Sequence, residues 1–131
     1  MKLFESIPHE TERVAKEVVD AAFKVHKVMG PGLLEAVYEA CMVHELHRRG
    51  LKVETQVDVP ISYEGARLAA DLQLDLLVEE QVIVELKAVE KMNPVFQAQL
   101  LSYLRLRGLR LGLLINFTVP LIKDGIKRVV L

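Results

Sequence analysis

The feature that most constrains this chain is an apolar segment that contains two charges, VIVELKAV at residues 82–89. Its β-branched residues predict a buried strand, and Glu85 and Lys87 lie two positions apart within it. Because side chains alternate between the faces of a strand, both charges are expected on one face. Burying an unpaired ion is unfavourable by several kcal/mol, so this face must hold compensating groups.

The turn before this strand decides what lies opposite the charges. EEQ at residues 79–81 predicts a three-residue turn that pairs Val78 with Val82. Counting outwards from that pair, Asp75 falls opposite Glu85. Both carboxylates then share a face with the lysine. A turn one residue shorter or longer would reverse the faces.

Two facing carboxylates repel each other and require positive charge nearby. Lys87 compensates one of them, whereas a divalent cation would compensate both, and carboxylate oxygens are ligands that Mg²⁺ prefers. Glu-x-Lys is also a common tripeptide. The alternative is a solvated face, with Asp75 as an unrelated surface acid.

Hydrophobic periodicity and turn signals divide the chain into eight elements. The predicted order is α-α-β-β-β-α-β-β, an α/β (α+β) sheet with helices packed on it. Helices are predicted at about residues 9–29, 32–49 and 94–107, and strands at about 51–63, 66–78, 82–89, 110–117 and 125–131.

Composition narrows the class of protein. The 131 residues are 51% hydrophobic, which predicts one compact domain over residues 1–131. The net charge of -1 provides no overall positive field, so a nucleic acid would need a local basic patch or a metal. The single Cys41 excludes an internal disulfide framework. With no signal peptide and no membrane span in the sequence, we expect a cytoplasmic protein.

Two helices carry polar residues at informative positions. In the third helix, Gln99 and Tyr103 fall within an apolar arc, so both are expected to be buried and to bond either to each other or to a nearby backbone group. The other members of the arc are Val95, Phe96, Leu100 and Leu106. In the second helix, Gly32, Glu35 and Tyr38 are spaced by three residues. A solvent stripe is the alternative there.

Taken together, four separated segments in this order resemble the GxxExxY family of small bacterial proteins, in the PD-(D/E)XK nuclease superfamily. The segments are HKVMGPGLLEAVYEACM, LDLLVEEQVIVELKAVE, AQLLSYLRL and LGLLINF. The resemblance extends over about residues 10–131, and Gly32, Glu35 and Tyr38 match the motif in the family name. It implies a restriction-endonuclease-like core, a mixed β-sheet flanked by helices.

The resemblance also implies a set of site residues. Asp75 matches the isolated acid, Glu85 and Lys87 match (D/E)-x-K, and the remaining matches are Gln99 and Tyr103 for Gln-x-x-x-Tyr and Glu35 for an acid on a preceding helix. Asp75, Glu85, Glu35 and the carbonyl of Leu86 would hold Mg²⁺ or Mn²⁺. Leu74 replaces the proline of the superfamily name, and Phe96 stands where many relatives have histidine.

The leading functional prediction is a metal-dependent phosphodiesterase acting on DNA or RNA, in which Lys87 orients the attacking water or stabilises charge on the phosphate. The alternative is a nuclease-fold module with weak or no catalysis that binds nucleic acid or a protein partner. The sequence leaves homo-oligomer formation open.

Basic residues cluster at two places and either position phosphates or are solvated ends of elements. One cluster is Arg105, Arg107 and Arg110, and the other is Lys123, Lys127 and Arg128.

A third functional possibility is a zinc site. Its ligands would be Cys41, His44 and His47, although helical spacing spreads them over more than one face.

Overall fold

The computed structural model describes residues 6–131 of the chain. The helices are α1 (His9–Met29), α2 (Glu35–Arg48) and α3 (Val95–Arg107). The strands are β1 (Val53–Asp58), β2 (Ile61–Tyr63), β3 (Ala66–Leu68), β4 (Gln73–Val78), β5 (Val82–Lys87), β6 (Leu111–Asn116) and β7 (Ile126–Val130). A short 3-10 helix, Ile122–Gly125, precedes β7.

Five of the strands form one mixed sheet in the order β1-β4-β5-β6-β7. Neighbouring strands are antiparallel except for β5 and β6, which are parallel because α3 crosses over between them. Helices pack on both faces. The predicted mixed sheet flanked by helices, a restriction-endonuclease-like core, is therefore confirmed.

The sheet has a different apolar layer on each face. On one face, α1 and α2 cover the even-numbered side chains of β5, such as Val84 and Leu86. On the other, α3 covers Ile83 and Leu77 through its buried Leu100 and Leu104. By alternation, Glu85 and Lys87 project to the α3 face.

The register around the EEQ turn matches the prediction. Val78 pairs with Val82 and Leu76 with Val84. The turn accommodates its three residues by placing Glu79 and Glu80 in the left-handed region, with φ of 52° and 56°. Asp75 therefore stands opposite Glu85.

Two of the predicted strands are too long. The segment 51–63 breaks after Asp58 because Pro60 has no N–H for a ladder, and 66–78 breaks before Gln73. The pieces between the breaks, β2 and β3, form an exposed hairpin, and among residues 6–131 they pair only with each other. A turn at Glu64 and Gly65 closes this hairpin, which lies outside the main sheet.

The second helix begins three residues later than predicted. Gly32 has φ of 98° and lies in the loop, and the helix starts at Glu35.

Within residues 6–131, no helix is long and apolar enough to span a bilayer.

Candidate active site

Asp75 and Glu85, here called the acid pair, lie where the ladder between β4 and β5 opens. The last pair of that ladder before the opening is Leu76 with Val84. Beyond it, the Asp75 N–H donates to Glu85 Oε2 at 2.8 Å, and the Leu86 N–H donates to Asp75 Oδ2 at 2.8 Å. Side-chain oxygens thus accept the hydrogen bonds of opposing backbone amides. The acid pair is built into the sheet.

The acid pair holds more negative charge than its surroundings favour. Glu85 is 6% exposed. Burial, and next the charge of Asp75, raise the pKa of Glu85 to about 8, against smaller lowering effects of the Asp75 N–H and Lys87. A cation bound here would remove this repulsion.

The donor set fits a hard divalent cation. Asp75 Oδ1 and Glu85 Oε1 accept no hydrogen bond from residues 6–131, so each carboxylate keeps one oxygen for a ligand. Mg²⁺ is commonly held by one or two carboxylates and keeps several waters. The Leu86 carbonyl stays a prediction as a ligand, because the contact found is through its N–H.

No group of three or more His, Cys, Asp or Glu side chains that could hold a metal occurs in the described part of the chain. Glu35 therefore does not complete a three-carboxylate set with the acid pair. The zinc alternative is wrong for the same reason. Cys41 is half-buried, whereas His44 and His47 on the same helix are exposed.

Lys87 lies on the same face of β5 as Glu85, and its Nζ is 4.4 Å from the centroid of the Phe96 ring. Its charge lowers the pKa of both Glu85 and Glu35. The ammonium is therefore close to the carboxylates, as the alternation of the strand predicted. Phe96 comes from the first turn of α3.

Tyr103 is near the acid pair and Gln99 is not buried. Partial burial raises the pKa of Tyr103, as do the charges of Glu85 and Asp75. The prediction that Gln99 is buried is wrong, because α3 turns Leu100 and Leu104 towards the sheet and leaves Gln99 exposed. Its role at the site stays a prediction.

Glu35 approaches the acid pair from the first residue of α2. Partial burial and then the charge of Asp75 raise the pKa of Glu35, while Lys87 opposes them. Three residues on, the fully buried Tyr38 stacks on Phe117 with ring centroids 4.5 Å apart. Its hydroxyl donates to the Gly30 carbonyl at 2.5 Å and accepts from the Leu33 N–H at 3.1 Å. Tyr38 thus fixes the loop that precedes Glu35, and with it the position of Glu35 at the start of α2.

Tyr38→Phe is expected to lower the free energy of unfolding by about 1 kcal/mol, because the Gly30 carbonyl and the Leu33 N–H lose their partner while the ring stack remains. Urea denaturation measures the change. Tyr63→Phe is the matched control, since Tyr63 is 65% exposed on the hairpin. Equal changes in the two variants would contradict the role of the hydroxyl.

Asn116 lies next to the site and was not predicted from the sequence. It is 2% exposed at the end of β6, beside Lys87 in the ladder. Its amide accepts from the N–H groups of Val89 and Thr118 and donates to the Val89 carbonyl. It therefore holds the chain that leaves β5. A single polar residue in the apolar run LGLLINF was the available signal.

A cavity of about 540 Å³ adjoins this end of the sheet. It lies between the first turn of α3 and the ends of β6 and β7. Its polar lining includes Asn93, Gln97, Asn116, Asp124 and Lys127. This cavity was not predicted, because its lining residues come from three separate segments of the chain.

The predicted arginines lie at the opposite end of the sheet. Arg105 and Arg107 end α3, and Arg110 precedes β6, whose first residue pairs with Val82 rather than with Lys87. The two ends are about 16 Å apart at about 3.3 Å per strand residue. Arg110 also donates to the carbonyls of Leu131 and Ser6. The structure therefore does not bring these arginines to the acid pair.

The second basic cluster is also divided. Arg128 forms a two-point ion pair with Glu12, with distances of 2.6 and 2.9 Å. Lys123 and Lys127 are exposed, and only Lys127 of the cluster lines the cavity beside Asn116.

Comparison with known proteins gives one match. The family model described as the PD-(D/E)XK nuclease superfamily matches residues 12–129, which include the acid pair and Lys87. No curated protein matches the chain. No solved structure matches it.

Proposed function

The chain belongs to the PD-(D/E)XK nuclease superfamily, and from this premise we propose that it is a divalent-metal-dependent phosphodiesterase that cleaves DNA or RNA. The observation that carries the proposal is the acid pair, in which the buried Glu85 and the half-buried Asp75 face each other and each keeps one oxygen that accepts no hydrogen bond from residues 6–131. Residues 10–131 would belong to the GxxExxY family, and residues 1–131 would form one catalytic domain.

Asp75 and Glu85 would hold Mg²⁺ or Mn²⁺, with the Leu86 carbonyl as a predicted further ligand and Glu35 as a predicted contact through a coordinated water. When bound there, the ion supplies Lewis acidity towards a phosphate oxygen and lowers the pKa of a coordinated water. The hydrogen bonds from the Asp75 and Leu86 amides keep both carboxylates in place before a cation or substrate arrives.

Lys87 has the charge and position to orient the attacking water or to stabilise the negative charge that develops on the phosphate. Tyr103 borders the acid pair from α3 and can donate its hydroxyl to a phosphate oxygen. Gln99, exposed one turn earlier on the same helix, is proposed as a contact to the nucleic-acid backbone. Arg105 and Arg107 are proposed as phosphate contacts remote from the cleaved bond.

The test is cleavage of single- and double-stranded DNA and RNA with Mg²⁺ or Mn²⁺. Asp75→Asn and Lys87→Ala are each expected to reduce the rate at least about 100-fold, since each removes a charge at the reacting phosphate. Lys16→Ala, an exposed lysine on α1, is the control and is expected to cleave normally. Cleavage that survives EDTA or both site substitutions would overturn the proposal.

A second candidate is a nuclease-fold module that binds nucleic acid or a protein partner without turnover. Exposed apolar side chains at the end of α1 and in the following loop favour it, among them Val28 at 70% and Leu34 at 76% exposed. Salt-dependent binding of nucleic acid without cleavage would favour this module, and no binding of nucleic acid would point to the protein partner.

A further inference from the structure

We propose that Phe96 is a positioning residue, which holds the Lys87 ammonium beside the acid pair through its ring face and leaves the ammonium unneutralised for the substrate phosphate. The inference rests on the proposed function for its catalytic consequence. The placement of the lysine by the ring stands on the geometry alone.

The contact lies within the range of a cation–π interaction. Lys87 Nζ is 4.4 Å from the ring centroid of Phe96, and such contacts extend to about 6 Å. Among residues 6–131, no ion pair joins Lys87 to a carboxylate, although Glu85 and Glu35 are near enough for their charges to interact with it. The ring is therefore the direct partner of the ammonium.

The ring itself is fixed by the start of α3. Asn93 Oδ1 accepts the Val95 N–H at 3.0 Å, and the Asn93 carbonyl accepts the Phe96 N–H at 3.0 Å. These bonds set the first turn of the helix. The half-buried Phe96 side chain then packs against the apolar cluster under α3 that contains Leu100 and Leu104. The aromatic face is thus presented at a fixed place.

A ring and a carboxylate would hold the lysine with different results. A carboxylate takes up N–H donors and cancels the charge, whereas a ring face attracts the cation and leaves N–H groups available. Lysine has a long flexible stem, and ordering it when a substrate binds is unfavourable. The contact with the Phe96 ring orders the Lys87 side chain before a substrate binds. Lys87 is therefore ready to act on a phosphate that approaches the acid pair.

The experiment compares two variants. Phe96→Leu keeps an apolar side chain but removes the aromatic ring, whereas Phe96→Tyr keeps the aromatic ring. The first readout is the NMR chemical shift of the Lys87 ε-methylene protons in protein labelled with ¹³C-lysine, assigned with Lys87→Arg. We expect an upfield ring-current shift in the wild type and in Phe96→Tyr, and its loss in Phe96→Leu. This readout does not require a substrate.

The second readout is the rate of metal-dependent cleavage. Phe96→Leu is expected to lower kcat about 3- to 10-fold, with little change in KM, and Phe96→Tyr is expected to restore it. A Lys87 shift that is the same in all variants overturns the inference whether or not the protein cleaves nucleic acid. An unchanged kcat in Phe96→Leu overturns it where the wild type cleaves. If the wild type cleaves nothing, the proposed function fails, and the NMR shift alone decides the placement.

Discussion

Glu85→Gln is expected to raise the free energy of unfolding by about 4 to 5 kcal/mol at about pH 8.5 in EDTA, while cleavage is lost. The reason is the burial of the carboxyl beside Asp75, which raises the pKa of Glu85 to about 8 in the folded state. Glutamine has no charge to bury. Its amide oxygen can accept the Asp75 N–H as Glu85 Oε2 does.

The sign of the effect follows from proton binding. Between the ordinary pKa of 4.5 and the folded value of about 8, the folded state keeps a proton at Glu85 that the unfolded state has released. The contribution of Glu85 to stability therefore falls as the pH rises through this window. Below the window both states are protonated, and the advantage of glutamine nearly disappears.

Urea denaturation of both proteins at about pH 4 and about pH 8.5 measures the difference, and changes common to the whole chain cancel in the comparison. Glu64→Gln, in the exposed hairpin turn, is the matched control and should show little difference at either pH. A stability gain that is equal at the two pH values would contradict the burial argument.

Mg²⁺ is expected to stabilise the wild type at about pH 8, by about 3 kcal/mol at about 100 times its dissociation constant, because it binds the folded acid pair and not the unfolded chain. Asp75→Asn and Glu85→Gln should each lose most of this stabilisation. The same cation also removes the pH effect at Glu85, since it favours the ionised carboxylate.

Thermal or urea unfolding with increasing Mg²⁺ or Mn²⁺ gives the measurement, and Glu64→Gln again serves as the control. Equal stabilisation of all four proteins would show that the metal acts elsewhere on the chain. Crystals soaked in Mn²⁺ provide a direct check, with metal density expected between the side chains of Asp75 and Glu85.

The register of β4 and β5 was predictable because two local rules fix it. The length of the EEQ turn sets the pairing of Val78 with Val82, and the alternation of side chains does the rest. Two carboxylates that face each other across neighbouring apolar strands indicate a site, because they require positive charge nearby. The central part of the site therefore followed from the sequence.

The orientation of α3 was not predictable in the same way. Leu100, Leu101, Leu104 and Leu106 surround much of the helix, so its apolar period does not select one face. The sheet buries Leu100 and Leu104, and this packing exposes Gln99. The contact between Phe96 and Lys87 depends on the same packing, which no local pattern in the sequence records.

The breaks in the two long predicted strands, 51–63 and 66–78, were predictable only in part. Pro60 interrupts the segment 51–63, and the prediction of one continuous strand there did not take it into account; the sequence does not show that β2 and β3 leave the sheet altogether. The distance of Arg107 and Arg110 from the acid pair was also not predictable from local sequence. The length of α3 was predicted well, but the sequence does not show that the helix runs along the sheet away from the acid pair, so that its last residues lie at the far end.

The hydrogen bonds of the acid pair also set how this chain can change over generations. Asparagine or glutamine can accept the same backbone amides, and Asp→Asn and Glu→Gln are single-base changes in the genetic code. A lineage can therefore exchange an acid for its amide, keep the strands joined and gain stability from the lost charge. Loss of cleavage is then a short and favourable mutational path, and a descendant that only binds would inherit an intact fold.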